Sequence, residues 1–373
     1  MTTIKAIREQ ILDPLQSVIG IVERRHTLPI LSNVLFQVTP NGIDLVATDL
    51  EVQVRTQAHI PDAPVAAHGE SFTLSARKFF EILRSLPSDA RLEMELREEG
   101  RLQIRSGKSR FNMQTLPGQD FPMVAINHQP GTVVTISQKV LKELFERVQY
   151  AMAQQDVRYY LNGALLSIQD DLLILVATDG HRLGYASEVL PERFERTEMI
   201  LPRKTVSELI KLLSPVDEPV RITLRDNQVE FAFGAIELLS KVIDGKFPDY
   251  SRVIPNSYVQ HVQLKREALL AALQRAAILS NDKIHGVRLL LTRDNLAVVC
   301  TNNENEEARE DMEVEYPHSP LDIGFNLSYL LDVLSHLSSE NITASFGDAN
   351  SSVLITAPET RDHFKYVVMP MRI

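Results

Sequence analysis

Tryptophan is absent from the 373 residues, cysteine occurs once, and aromatic side chains make up 6% of the chain. So few aromatics leave little material for platforms on which unpaired bases stack. The lone Cys300 excludes an internal disulfide framework and cannot build a zinc cluster by itself, which fits a reducing compartment. No run approaches the ~18 apolar residues of a membrane helix, and the start MTTIKAIREQ has no apolar stretch after its charges. The expectation is a cytoplasmic protein. Basic residues are a minority, 39 Lys and Arg against 49 Asp and Glu, and a net charge of −10 by itself argues against a nucleic-acid partner. Walker-type glycine loops, GxGxxG and HExxH are missing too, so no cofactor or metal is expected. At roughly 100–200 residues per domain the length allows two to four domains.

What is present is a repeat with a domain-sized period of about 125 residues. The apolar strand Ile43–Asp49 (IDLVATD) is matched by Leu173–Asp179 (LILVATD) and, more weakly, by Leu296–Asn302 (LAVVCTN). An apolar segment precedes each: Asn33–Phe36, Gly163–Leu166 and Gly286–Leu289. Each copy then carries a short amphipathic helix, Ala76–Leu86, Arg203–Leu213 and Leu327–Leu337, with apolar residues recurring at i, i+3, i+4 and i+7. A longer helix is expected before each copy's first strands, over Ile4–Val22, Gln138–Ala153 and Arg266–Leu279. The copies end alike, at Asp120-Phe121-Pro122, Lys246-Phe247-Pro248 and Val368-Met369-Pro370.

Between the helices lie short strand-like runs, such as Leu92–Leu96, Leu102–Arg105 and Val220–Leu224, joined by polar turns such as Glu98-Glu99-Gly100. Two helices and many short strands with hairpin-length connections make each unit an α+β domain with antiparallel sheet. The Pro-containing polar stretches 125–132 and 250–260 set the expected domains at 1–126, 132–251 and 258–373.

Charge is unevenly distributed. The helical segments 5–25, 76–86, 138–153, 203–213, 265–279 and 327–337 hold 16 Lys or Arg against 9 Asp or Glu, and the rest of the chain holds 23 against 40. Lys and Arg are good helix formers, which is one reading. The other is a helical surface facing an anion on an otherwise acidic protein. The helix Leu327–Leu337 has no Lys or Arg.

Chemistry is hard to find. Asp179 beside His181 resembles an acid–base pair and suggests a hydrolase as the runner-up reading. A base needs an orienting partner and a nucleophile in reach, and Asp-Gly also reads as a turn at a strand end. The corresponding copies hold Leu50-Glu51 and Asn303-Glu304, with no His. The run Glu304, Glu306, Glu307, Glu310 and Asp311 reads as a solvated or partner-facing surface.

Four longer runs carry a resemblance. Gln155–Gly163 (QDVRYYLNG), Ala177–Leu183 (ATDGHRL), Asp244–Tyr250 (DGKFPDY) and Tyr366–Ile373 (YVVMPMRI) are similar, with the threefold repeat, to the beta subunit of bacterial DNA polymerase III, over the whole chain. The resemblance implies a non-enzymatic DNA sliding clamp: three repeated clamp domains, each with two helices and antiparallel sheets, and a head-to-tail homodimer closing a six-domain ring. It implies double-stranded DNA, encircled without sequence preference, and the replicative polymerase, the clamp loader and other polymerases and repair proteins as partners. A topological grip would reconcile an acidic protein with DNA. A paralogue with altered clients is the alternative within the family.

Residue by residue, the resemblance implies DNA contacts at Arg25, Arg77, Gln155, Tyr159, Tyr160, Arg203 and Lys204. His26 departs from the family's usual context there. It implies a pocket for a linear peptide with an apolar anchor at Leu161, Thr178, Gly180, His181, Arg182, Leu183, Pro248, Arg252, Val253, Asn326, Tyr329, Ser352, Val367, Val368, Met369, Pro370, Met371 and Arg372. Methionine suits a surface with several clients. Ile373 stands where the family more often ends in Leu. At the dimer contact Ile82, Leu86, Phe111 and Met113 are expected to face Ile278 and Leu279, with Arg101, Arg105 and Arg110 opposing Glu304, Glu306 and Glu307.

Overall fold

Each α-helix among the described residues grows directly out of a strand. In the computed structural model, which describes residues 2–23, 27–61, 69–97, 100–281, 285–358 and 363–373, six α-helices are found among the described residues. They are α1 (Arg8–Ile19), α2 (Ala76–Ser85), α3 (Gln138–Val148), α4 (Arg203–Leu212), α5 (Arg266–Ala276) and α6 (Leu327–His336). The residue before each is the last of a strand. Helix N-termini leave backbone N–H groups without intrahelical partners. Here a neighbouring carbonyl accepts the first one: Arg8 donates to Ala90 at 2.9 Å, Gln138 to Glu218 at 2.8 Å and Arg266 to Glu340 at 3.0 Å. The same device starts two of the shorter helices, where Arg203 donates to Asn162 at 3.1 Å and Leu327 to His285 at 2.7 Å. The sequence repeat is thus a repeat of hydrogen bonds.

The chain forms two compact units. The first comprises Met1–Lys139 and Lys211–Val242. Its sheet of 12 antiparallel strands runs, edge to edge, through Thr2–Ile7, Arg91–Arg97, Arg101–Ser106, Ser109–Pro117, Ser71–Ser75, Asn33–Thr39, Gly42–Thr48, Val52–His59, Ile236–Lys241, Gln228–Phe233, Pro219–Arg225 and Thr132–Ser137. Helices α1 and α2 pack together within it. Helix α2 buries Ala76, Phe79 and Leu83, a spacing that puts all three on one face.

The second unit comprises Val140–Ile210 and Ile243–Ile373. One sheet orders Gly163–Thr178, Arg182–Pro202, Phe364–Val368, Val353–Thr356, Asn341–Phe346 and Gln260–Lys265, so the chain's last strand lies beside Arg182–Pro202. A second orders Glu307–Glu313, Asn295–Thr301, Gly286–Thr292 and Leu321–Asn326. Helices α5 and α6 pack together, burying Leu269, Ala272, Leu273 and Ala276 from one and Leu327, Leu330, Val333 and Leu334 from the other. Each such Leu or Val contributes on the order of 1.5–3 kcal/mol by leaving water.

One expected helix is shortened by a competing period. Residues 4–7 of the expected helix Ile4–Val22 belong to the strand Thr2–Ile7, which pairs antiparallel with Arg91–Leu96. Ile4 and Ala6 are buried while Lys5 and Ile7 are exposed, an alternation only a strand can use. The long helices of the other two copies end early, in the single 3-10 turns Gln149–Ala151 and Ala277–Leu279. The turn residues Glu98 and Glu99 lie outside the described residues.

Candidate functional site

The site begins with a turn. After the strand Gly163–Thr178 the chain reverses in four residues. The Thr178 hydroxyl donates to the Arg182 carbonyl at 2.6 Å and accepts from the Gly180 N–H at 3.1 Å. One Asp179 carboxylate oxygen accepts from the N–H groups of His181 at 2.9 Å and Arg182 at 3.0 Å. The first repeat builds the same turn. There the Thr48 hydroxyl donates to Val52 at 2.9 Å, and Asp49 accepts from Glu51 at 2.9 Å and Val52 at 2.7 Å. The central residue has positive φ in both, +90° at Gly180 and +77° at Leu50. A leucine tolerates the strain in one copy. In the other, glycine also spares the Arg158 guanidinium, from which a Cβ on Gly180 would lie 3.0 Å, so that an added methyl would push the guanidinium aside.

This bonding settles the acid–base candidate. The second Asp179 oxygen accepts from Arg182 Nε at 3.0 Å. The carboxylate is thus occupied by the turn, and among the described residues no hydrogen bond joins it to the His181 ring. The pair is a turn and lacks an orienting contact.

Arg182 ties this turn to α6. Its side chain is 10% exposed, donates to Asp332 at 2.5 Å and lies 4.3 Å from the centre of the Tyr329 ring. Burial works against its charge, but the surrounding groups, with Asp332 and Asp179 among them, outweigh it and hold the guanidinium above its ordinary pKa. Arg158 closes the other side, donating to both Asp156 oxygens at 3.0 and 2.9 Å and to the Asp179 carbonyl at 3.1 Å. Those bonds hold the Asp156 carboxyl down at about 2.

Beside the turn the second unit has a cavity of about 380 Å³. Leu183, Val367, Phe247 and Tyr250 give it an apolar lining drawn from one core cluster. Polar groups sit at Thr178, His181, Ser352 and Asn350. Met369, 49% exposed, and Pro370 line it from the C-terminal segment. The expected positions Leu161, Gly180, Arg182, Pro248 and Val253 also line it. Apolar walls with a few placed polar groups are the usual form of a ligand site.

Six expected pocket residues lie off this cavity. Val368 alternates with Val367 along a strand and is fully buried in the opposite direction. Asn326 accepts from the Ser328 N–H and caps α6, and Tyr329 lies under Arg182. Arg252 is exposed and pairs with Asp249 at 2.9 Å. The Met371 N–H donates to Gly324 at 2.8 Å, and Arg372 is exposed. Conversely, Phe247, Tyr250, Asn350 and Arg158 line the cavity without having been expected. Phe247 and Tyr250 sit in the run Asp244–Tyr250 and Arg158 in the run Gln155–Gly163, which were the available signal.

The expected DNA contacts fall in both units. Arg25 lies outside the described residues. Arg77 is exposed on α2 and donates to Val22 at 3.3 Å. Gln155 is exposed with φ +55°, and Tyr159 is 58% exposed, edge-on to the half-buried Tyr160, which lines the cavity. Arg203 is half-buried and donates to Met152 at 3.1 Å; burial and the nearby Arg182 lower its pKa. Lys204 is half-buried. Within the observed helices Lys and Arg number 12 against 8 Asp and Glu. The excess is smaller than expected because Lys5 and Lys265 belong to strands and Arg24 and Arg25 lie outside the described residues.

The two surfaces expected at a dimer contact can each be described. In the first unit, strand alternation puts Arg101, Arg105 and Arg110 on one sheet face and Phe111 and Met113 on the other. Leu86 and Met113 are buried within the unit, which leaves little of either for a partner, while Ile82 and Phe111 are half-buried. Arg105 Nε donates to Gln103 at 2.8 Å. In the second unit Ile278 is 79% exposed, Leu279 is half-buried, and Glu304, Glu306 and Glu307 are exposed. Glu310 is held by Arg275 at 2.6 and 3.0 Å.

Three family models match in succession: DNA polymerase III beta subunit N-terminal domain over residues 2–125, central domain over 135–249 and C-terminal domain over 251–372. The chain belongs to the DNA polymerase III beta subunit family. The beta sliding clamp of Pseudomonas putida is 45% identical over 370 residues, covering 98% of both chains. That of Escherichia coli K12 is 42% identical over 368 residues, again covering 98% of both. A crystal structure of the Pseudomonas aeruginosa sliding clamp bound to griselimycin superposes with a TM-score of 0.94 at 43% identity, covering all of each chain. The beta sliding clamp of C. crescentus gives 0.93 at 33% identity, covering 100% of this chain and 99% of that one. As a member of this family the protein is a DNA sliding clamp of three clamp domains, a non-enzymatic processivity factor. Among the described residues no helix is long and apolar enough to cross a membrane.

Proposed function

We propose that two copies of the chain join head to tail into a cytoplasmic six-domain ring around duplex DNA, and that the cavity beside the Thr178–Leu183 turn holds short apolar segments of the replicative polymerase, the clamp loader, other polymerases and repair proteins. The domains are 1–126, 132–251 and 258–373. Arg25, Arg77, Gln155, Tyr159, Tyr160, Arg203 and Lys204 contact the DNA. Ile82 and Phe111 of one copy face Ile278 and Leu279 of the other, and Arg101, Arg105 and Arg110 face Glu304, Glu306 and Glu307.

The observation that supports this reading most directly is the cavity itself. Its lining is apolar where Leu183, Val367 and Phe247 meet, and its rim carries the adaptable side chain of Met369. Such a site takes an apolar anchor and leaves orientation to Thr178, His181 and Ser352. Enclosure explains the charge. A ring needs no tight phosphate grip, and an overall charge of −10 keeps its outside from binding DNA indiscriminately.

The test is fluorescence anisotropy with a labelled hexapeptide ending in Leu-Phe. The wild-type protein should bind it, and griselimycin, bound by the P. aeruginosa and Bartonella birtlesii clamps, should displace it. Val253→Arg should weaken binding without unfolding the protein, because Val253 lines the cavity and is 45% exposed. Failure of the wild-type protein to bind would refute the pocket. For the ring, protein loaded on nicked circular DNA should stay there and be lost once the circle is cut. Retention on linear DNA with open ends would refute a topological grip.

A further inference from the structure

The C-terminal segment that lines the cavity is held at two points, one at the cavity and one beyond it. After the strand Phe364–Val368, the Met369 N–H donates to the His181 carbonyl at 2.9 Å, which sets the segment against the turn. Two residues on, the Met371 N–H donates to the Gly324 carbonyl at 2.8 Å. Met369 and Pro370, the cavity-lining pair, therefore span two backbone anchors.

The last residue packs onto a notch made by two glycines. Gly286 and Gly324 belong to adjacent strands, Gly286 opposite Asn326 and Gly324 opposite Arg288, so both present the same sheet face. A Cβ on Gly324 would lie 2.6 Å from the Met371 carbonyl oxygen and 2.8 Å from Ile373 Cδ1. A Cβ on Gly286 would lie 3.0 Å from Ile373 Cδ1 and 3.2 Å from Cγ1. Neither glycine has the positive φ that excludes other residues, so the constraint is space, set at Gly324 by the Met371 backbone carbonyl and at Gly286 by the Ile373 side chain that occupies the seat. Ile373 remains 54% exposed, and the part that is covered fills this seat.

We infer that the Gly286–Gly324 seat and Ile373 form a clasp that positions the Met369-Pro370 lining of the cavity, making these three positioning residues for peptide binding, although none of them lines the cavity. The inference rests on the proposed peptide pocket. Residues 369–373 belong to no helix or strand, and a pair of lining residues carried on a segment without such ties would have to be ordered each time a peptide bound. The clasp places that ordering in the free protein, so that the bound peptide does not bear it.

The experiment compares Gly324→Ala, Ile373→Ala, Ile373→Leu and the Gly324→Ala/Ile373→Ala double variant with the wild-type protein. Three readouts are taken: affinity for the labelled Leu-Phe hexapeptide, amide hydrogen exchange at Met371, and thermal stability. Gly324→Ala and Ile373→Ala should each weaken binding on the order of tenfold, the cost of ordering about one backbone residue. Both should speed exchange at Met371 and leave the melting temperature unchanged, because the released segment 369–373 lies outside the helices and strands. Ile373→Leu should bind as the wild type does. The double variant should be no weaker than the worse single one, since a tail already lifted by the Gly324→Ala methyl has no seat left to lose. Wild-type exchange at Met371 in both single variants would overturn the clasp. So would an affinity loss that merely follows a fall in melting temperature. If the wild-type protein fails to bind the peptide, the pocket reading is lost, and exchange at Met371 alone then decides whether the clasp exists.

Discussion

Replacing Arg182 by Met keeps the aliphatic stem and removes the charge that ties the Thr178–Leu183 turn to α6. The guanidinium is 10% exposed, pairs with Asp179 (15% exposed) and Asp332 (39% exposed), and covers the Tyr329 ring. Removing one member of a buried pair costs about 3–5 kcal/mol, because the partner charge is left buried without compensation. Two facts reduce that here. Asp332 is exposed enough for water to screen it, and Asp179 keeps the backbone N–H groups of His181 and Arg182. The expected loss is therefore about 2–3 kcal/mol. The assay is urea unfolding followed by far-ultraviolet circular dichroism, since the chain has no Trp to report by fluorescence. Asp332→Asn should cost about 1 kcal/mol, and the double variant should cost less than the two together by on the order of 1 kcal/mol. A loss below about 0.5 kcal/mol for Arg182→Met, the range of an ordinary surface change, would refute the reasoning. Strict additivity would show that Arg182 and Asp332 do not act as a pair.

Gly180→Ala should destabilise by roughly 1–2 kcal/mol, from strain at φ +90° together with the displaced Arg158 guanidinium, and a melting temperature equal to the wild type's would contradict this. Ile278→Asp should turn a dimer into a monomer in sedimentation velocity without lowering the melting temperature, since the side chain is 79% exposed; an unchanged sedimentation coefficient would rule this residue out of the contact. The Asp156 carboxyl, held at about 2 by Arg158, should titrate well below an ordinary aspartate when followed by carbon NMR. As its folded pKa is depressed, whatever it contributes to stability is complete above the unfolded value near 3.9 and fades as pH falls through about 2, and a midpoint near 4 would mean the Arg158 bonds are absent in solution.

Much of the architecture is legible in local patterns. Three Thr-Asp or Thr-Asn strand ends at steady spacing announced three copies of one unit, and the structure resolves two of them into the same turn, with Thr48 and Thr178 making the same bonds. The stripe Ala76, Phe79 and Leu83 marked α2 because a buried helix face must repeat every three to four residues. The first helix was over-extended because Ile4, Ile7 and Ile11 also fit that period. What decided between the two readings is Arg91–Leu96, about 90 residues away, which offers the strand Thr2–Ile7 a partner.

The cavity divides along the same line. Its residue types were readable, since Thr178–Leu183 and Val367–Pro370 lie in runs specific enough to name a family. That they meet depends on the strand Phe364–Val368 lying against Arg182–Pro202, where Leu183 opposes Val367 across nearly 200 residues of chain. Phe247, Tyr250 and Asn350 are brought to the same hollow by tertiary packing, and no local period marks a residue that faces a cavity and not a core. The glycines show the division most plainly. A turn glycine such as Gly180 is legible because its own positive-φ backbone favours it, within a motif of five residues. Gly286 and Gly324 have ordinary backbones, and only the folded chain, which returns Ile373 to lie on them, supplies the reason for leaving their side chains off. Periodicity and turn chemistry act between near neighbours and were therefore determined by the sequence alone, whereas close approach between distant segments was decided by the tertiary structure.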